Sequence, residues 1–328
     1  MLNFLNSFSD SFILALFLWP FLAFILTLPI LVHQYRRHNR IVWLRILLTY
    51  FFILYVLGLV SFTLYPMPDN PIAFCQNNVH SPLLNPLHLF TDLRNEGLQA
   101  VLQIVMNFIF FIPLGFFIRH LFQLRLRAAL IIGFSASLLI ETAQLTGLFS
   151  IYPCSYRYFD INDLFINTGG ALIGYIVARL LPSQSVMKAK SGAVVRQAGL
   201  LRHFVAFLID QALTVSVTLL IILGIYLMLD KDLTEQIITS NVVVTIVTLL
   251  IFGLLPYLFH GWSVGGFFTR LNHDDQPRTG VRRITFYLVR AVIVGSFTYA
   301  TWGILPYLIV IIILCVWWRW KKLPHQFI

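Results

Sequence analysis

Charge is scarce in this chain. Asp, Glu, Lys and Arg make up 11% of its 328 residues, against about 25% in an ordinary soluble domain. Hydrophobic residues make up 59%, and the mean hydropathy is +0.82. That excludes a soluble enzyme, because a folded core cannot hide so much apolar surface from water. Cysteine is scarce too. Cys75, Cys154 and Cys315 have no metal-like spacing, so no metal site is expected and no cofactor is called for. The stretch MLNFLNSFSD lacks the basic n-region of a cleaved signal peptide. The first apolar run is also too long for an h-region, so it reads as a retained span.

What the chain has is apolar runs. They lie at 11–32, 41–65, 100–118, 128–148, 161–182, 203–229 and 241–259, each near the roughly 20 residues that cross a bilayer as a helix. The stretch 284–318 is too long for one span and reads as a tight hairpin. Gly303 marks its turn, and Pro306 falls in the first turn of the last helix. The expected fold is an all-α, polytopic transmembrane bundle of nine spans, or eight if 284–318 crosses once.

The net charge of +10 sits in short loops between these runs. Membrane topology and anionic headgroups explain such placement, and nucleic acid is not an expected partner. Arg36, Arg37, Arg40 and Arg45 put the first loop in the cytoplasm and the amino terminus outside. Alternation then places Arg119, Arg125, Arg127, Lys188, Lys190, Arg196, Arg202, Arg270, Arg278, Arg282 and Arg283 inside. The last helix ends inside with Arg319, Lys321 and Lys322. Of the 23 basic residues only Arg94, Arg157 and Lys231 fall outside. The polar, basic stretch 183–200 reads as a cytoplasmic linker. It divides a five-span unit, 1–182, from a four-span unit, 201–328.

Polar groups inside apolar runs are costly and therefore informative. Asn107 lies in the third span, and Glu141 and Gln144 in the fourth. Asp160, Asp163 and Asn167 open the fifth at i, i+3, i+7, one helical face, with Arg157 extending the stripe outward. On the N-outside topology all of these fall at one depth, near the outer face. They predict an outward-facing polar cleft. A structural reading stands beside this one: acids cap helix starts, amides join membrane helices, and Gly170 with Gly174 form a small-xxx-small contact motif. Cys75 and Cys154 fall in two outer loops, where an oxidising compartment allows a bridge. Tyr152, Tyr156, Tyr158 and Phe159 crowd the same loop. They read either as interfacial aromatics or as a rim that contacts a sugar or headgroup.

Asn107 with Pro113 and Gly115, Glu141 with Gln144, and Arg157, Asp160, Asp163, Asn167 and Gly170, in that order, resemble the VanZ-like family over roughly 45–182. The resemblance implies a multi-span envelope protein, and its namesake is associated with reduced susceptibility to the glycopeptide teicoplanin. It supplies no biochemical activity. The span 11–32 stands ahead of the family's core.

The second unit begins with Arg202, Ala206 and Asp210 at i, i+4, i+8. With Gly265 and Arg290 this resembles the RDD family over roughly 200–320. The Gly-Lys step of that family is replaced by Gly265-Gly266, and either Asp274 or Asp275 stands for its later aspartate. Asp210 reads as a partner of Arg202 or Arg290 that holds the bundle together, or as an ion or proton site.

The leading functional expectation is a non-enzymatic protein of the bacterial cytoplasmic membrane. Its partners would be membrane lipids, a lipid-linked cell-wall precursor or a glycopeptide. A transporter coupled to ions or protons through Asp210 is the second class, and an outer-leaflet membrane enzyme the third. Two carboxylates without a nucleophile–base pattern assign no catalytic residue. The ligand and the oligomeric state are open at this stage.

Overall fold

The computed structural model describes residues 2–65, 67, 70–77, 81–181, 198–228, 241–274, 276, 278–295 and 305–327. His80, Lys188, Lys190, Arg196, Lys231, Asp275, the turn expected at Gly303 and most of the expected linker lie outside the described residues.

The protein is an all-α membrane bundle. Its helices are α1 (Leu2–His38), α2 (Trp43–Leu64), α3 (Pro71–Asn77), α4 (His88–Asn95), α5 (Leu98–His120), α6 (Leu126–Leu145), α7 (Ile161–Leu180), α8 (Leu200–Met228), α9 (Val242–Leu258), α10 (Val264–Thr269), α11 (Gly280–Gly295) and α12 (Leu305–Trp320). Six of these, α1, α2, α5, α6, α7 and α8, are long and apolar enough to cross a membrane. The stretch 284–318 holds parts of two shorter helices, α11 and α12, and Pro306 lies in the first turn of α12. α9 contains one π-helical turn at Leu250–Leu254.

Two compact units divide the chain: Met1–Thr27 with Trp43–Met187, and Leu28–Val42 with Lys188–Ile328. The last third of α1 thus belongs with the second unit.

Lipid as the outer solvent explains the inside-out look of both units. Phe24, Ile131, Leu139 and Phe165 are exposed, while Ser137, Glu141, Asn167, Asp210 and Arg290 are buried. In the first unit Phe111, Leu114, Ile118, Ala129, Ala171 and Tyr175 form the centre of the core. α5, α6 and α7 pack there almost backbone to backbone. A Cβ on Gly170 would stand 2.2 Å from the Phe108 carbonyl oxygen, and one on Gly174 would stand 2.0 Å from that of Ile112. The Gly170–Gly174 motif is therefore a helix-contact notch that faces α5. Pro113 removes one rung from the hydrogen-bond ladder of α5. Nearby, the Tyr55 hydroxyl donates to the Phe110 carbonyl at 2.9 Å.

In the second unit α10 presses against α8 in the same way. A Cβ on Gly265 would lie 1.9 Å from the Ala206 carbonyl oxygen. Val247, Ile251, Phe252 and Ala291 form the apolar core between α9 and α11.

Candidate functional site

α2 ends with carbonyls that have no partner within the helix, as every helix does. Side chains from distant segments complete it. Gln144 Nε2 donates to the Thr63 carbonyl at 2.8 Å, and Arg157 Nη1 donates to the same oxygen at 3.0 Å. The Tyr156 hydroxyl donates to the Leu64 carbonyl at 3.2 Å, and the Ser11 hydroxyl to that of Tyr65 at 3.3 Å. A guanidinium also suits the negative end of the helix dipole. Burial holds the Arg157 guanidinium below its usual value, and the charges of Tyr156 and Glu141 pull it back up. Burial pushes the Tyr156 phenol up, and Arg157 opposes that shift.

α7 begins beside this end. Asp160 lies just before the helix in an extended conformation, and its Oδ1 accepts the Asn162 N–H at 2.8 Å, a side-chain cap. The Asp160 N–H donates to Glu141 Oε2 at 3.0 Å. Two backbone bonds clamp the junction: Leu83 N–H to the Phe159 carbonyl at 2.8 Å, and Ile161 N–H to the Leu83 carbonyl at 3.1 Å. One helical turn on, the Asn107 side chain hydrogen-bonds Asp163. Deeper still, Asn167 Nδ2 donates to the Ser137 hydroxyl at 2.9 Å, and that hydroxyl donates to the Asp163 carbonyl at 3.3 Å.

These groups line one cavity of about 730 Å³ in the first unit. Asn107, Glu141, Gln144, Arg157, Asp160, Asp163 and Asn167 all face it. The sequence argument had placed Arg157 and Asp160 on the face of the fifth span. Arg157 instead lies in the preceding loop, and Asp160 is the cap, as the capping alternative had it, because the helix starts at Ile161.

The cavity has a further wall that the sequence argument missed. His88, Asp92 and Glu96 on and after α4, and Gln99 and Gln103 on α5, also line it. His88 Nδ1 and Asp92 Oδ2 are 2.9 Å apart. The signal was present: Gln99, Gln103 and Asn107 recur every fourth residue, one face of a helix.

The rim near α3 is covalently tied. Cys75 and Cys154 form a disulfide with Cα atoms 5.8 Å apart. Tyr152 packs against Phe74 and Tyr156, with ring centroids 6.5 and 5.4 Å apart. Residues 147–150 make a left-handed turn, with φ of +60° at Gly147, +54° at Leu148, +57° at Phe149 and +73° at Ser150.

In the second unit Asp210, fully buried, accepts the Gly265 N–H at 2.6 Å through Oδ1 and interacts with the Arg290 charge. Arg290 Nη1 donates to the Phe252 carbonyl at 2.5 Å, within the π-helical turn of α9. Arg202 turns elsewhere: it bonds the side chain and carbonyl of Asn39 and lies over the Tyr35 ring. The charge that acts on Asp210 is thus that of Arg290, while Arg202 is held by Asn39 and Tyr35. Ser263 accepts the Gly266 N–H and lies 3.0 Å from His273 Nε2. Asp274 receives Arg278 Nη1 at 2.9 Å. Among the described residues no three His, Cys, Asp or Glu side chains group closely enough to hold a metal ion.

Residues 52–182 match the model of the VanZ/LLP1 family. The match covers less than half of the chain. It includes all seven cavity residues expected from the sequence. It stops short of the second unit, and no comparison supports the resemblance to the RDD family there. No curated protein and no solved structure matches the chain. The chain is a multi-pass α-helical membrane protein with a VanZ-like region.

Proposed function

We propose that the protein sits in the bacterial cytoplasmic membrane with this cavity open to the outer face, where it receives the polar head of a membrane amphiphile. The occupant is a lipid headgroup or a lipid-linked cell-wall intermediate. By engaging it, the protein lowers the cell's susceptibility to a glycopeptide such as teicoplanin. The observation that carries this reading is the convergence of seven polar residues, five within membrane-spanning helices and two at the start of one, on a single cavity of about 730 Å³. That size suits a headgroup or a small glycan. Polar groups buried at membrane depth are costly to keep without a task.

Two features support the outward direction. The basic loops favour an amino terminus outside with nine crossings. The disulfide lies beside the cavity, and disulfides persist in oxidising compartments. The test is teicoplanin susceptibility on expression of wild type, Glu141→Ala and Asp163→Asn at equal membrane levels. Wild type should raise the inhibitory concentration, and both variants should lose that effect. If all three leave sensitivity as it was without the protein, the resistance role is wrong.

A further inference from the structure

We propose that the head held in this cavity carries a protonated amine, seated against Glu141 and Asp163 with Asn167 beneath it. This rests on the headgroup reading above and adds the chemistry of the head.

The first argument is charge. Asp92, Glu96, Glu141, Asp160 and Asp163 line the cavity, and among the described residues Arg157 is the one arginine or lysine that faces it. An anionic head would meet five carboxyl groups and one guanidinium already engaged with the Thr63 carbonyl. A cation meets complementary charge.

The second argument is hydrogen-bond direction. Four donors around the cavity are turned into the protein. Gln144 Nε2, Arg157 Nη1, the Tyr156 hydroxyl and Asn167 Nδ2 all donate to protein oxygens. Acceptors are left over. A carboxylate has about four acceptor positions, and Glu141 receives one backbone N–H.

Asn167 makes the point at depth. It is 4% exposed, it lines the cavity, and its Oδ1 has no hydrogen-bond partner. The orientation of its amide follows from its neighbour. The Ser137 hydroxyl spends its proton on the Asp163 carbonyl, so toward Asn167 it can only accept. Nδ2 must therefore face Ser137, and Oδ1 is the atom left waiting for a donor. An unpaired buried acceptor is costly; Oδ1 is shut off from water, so a small turn of the Asn167 side chain into the cavity would offer it to an ammonium. Aromatic rings of Phe62, Phe110 and Tyr158 line the same space, and ring faces attract cations.

The experiment uses the full-length protein, extracted into nanodiscs of equal parts phosphatidylethanolamine and phosphatidylglycerol, with retained lipid counted by native mass spectrometry. The amine lipid should be retained about tenfold over the glycerol lipid, the worth of one charge-assisted contact. Glu141→Gln keeps an oxygen for the Asp160 N–H, and Asp163→Asn keeps the shape of its side chain. Each variant, shown monodisperse, should bring the ratio near one.

Adding glycerophosphoethanolamine, the same head without tails, separates two sources of the amine. Displacement of the lipid assigns the site to a soluble amine, and retention assigns it to a membrane lipid; either outcome supports the amine. Phosphatidylglycerol retained as well as phosphatidylethanolamine, or both folded variants behaving as wild type, overturns the amine and leaves the headgroup reading standing. If neither lipid is retained above bulk and the soluble head does not bind, both readings fall.

Discussion

Gly174→Ala should loosen the first unit more than its one added methyl suggests. The new Cβ would lie 2.0 Å from the Ile112 carbonyl oxygen, where ordinary contact begins at 3.4 Å. About 1.4 Å must be found, and the Ile112 carbonyl carbon and Cα stand just behind at 2.8 and 2.9 Å. The obstacle is backbone, so no side chain can swing aside. Overpacking a close-packed core costs about 1–3 kcal/mol, and this geometry argues for the upper end. Alanine's better helix propensity returns about 0.5–1 kcal/mol. The net loss is then about 2 kcal/mol, or about 4–8 °C in midpoint for a unit of this size. Gly224→Ala in α8 is the matched control, since a Cβ there meets nothing within 4 Å; it should be neutral or slightly stabilising. The assay is the temperature at which the detergent-solubilised protein loses its monodisperse peak. Equal midpoints for the two variants would refute the packing argument.

A non-reducing tryptic map of membranes should show the Cys75 and Cys154 peptides joined and Cys315 alone as a thiol; two free thiols at 75 and 154 would contradict the disulfide. Asp210→Asn should lower the thermal midpoint strongly, by about 3–5 kcal/mol, because Arg290 keeps its charge in a dry core without a counter-charge. Asp210→Asn combined with Arg290→Gln should recover part of that loss in a double-mutant cycle, and strict additivity would show that the two do not act as a pair. Gly147→Ala should destabilise the rim beside Cys154. Its φ is +60°, and the added Cβ would lie 2.5 Å from the Tyr152 carbonyl oxygen. Faster protease cleavage near residues 147–154 is the expected readout, and unchanged cleavage would count against it.

The membrane fold was legible because its cause, exclusion of charge from apolar runs, is written directly in composition. The shared location of Asn107, Glu141, Gln144 and Asp163 was legible too. Charge asymmetry between loops sets span direction, and direction turns positions along the chain into depths. The start of the fifth span at 161 and the capping of it by an acid were legible as well; the extension of the helical stripe back to Arg157 was not. A stripe through Arg157 and Asp160 needs both to be helical, whereas Asp160 is the cap and the helix begins one residue later. The α4 wall escaped for another reason. Its eight residues are too short to give a periodic signal against the surrounding loop. Gln103 was hidden inside the apolar run 100–118, and Gln99 stood just ahead of it. In the second unit the i, i+4, i+8 spacing correctly put Arg202 and Asp210 on one helix, but spacing says nothing of partners from other segments. Asn39 and Tyr35 take the arginine.

The finished end of α2 also has a history in time. The Thr63 carbonyl waits for Arg157, which is 94 residues later in the chain. At a synthesis rate of about 5–20 residues per second, that is a wait of roughly 5–20 seconds. Until Gln144 is made the Thr63 carbonyl depends on water, which favours that end of α2 at the bilayer surface over the hydrocarbon. Gln144, then Tyr156 and Arg157, take the place of that water as they arrive. The cavity thus gains its last lining residues, 157–167, only after both helices that frame it, α5 and α6, have been made.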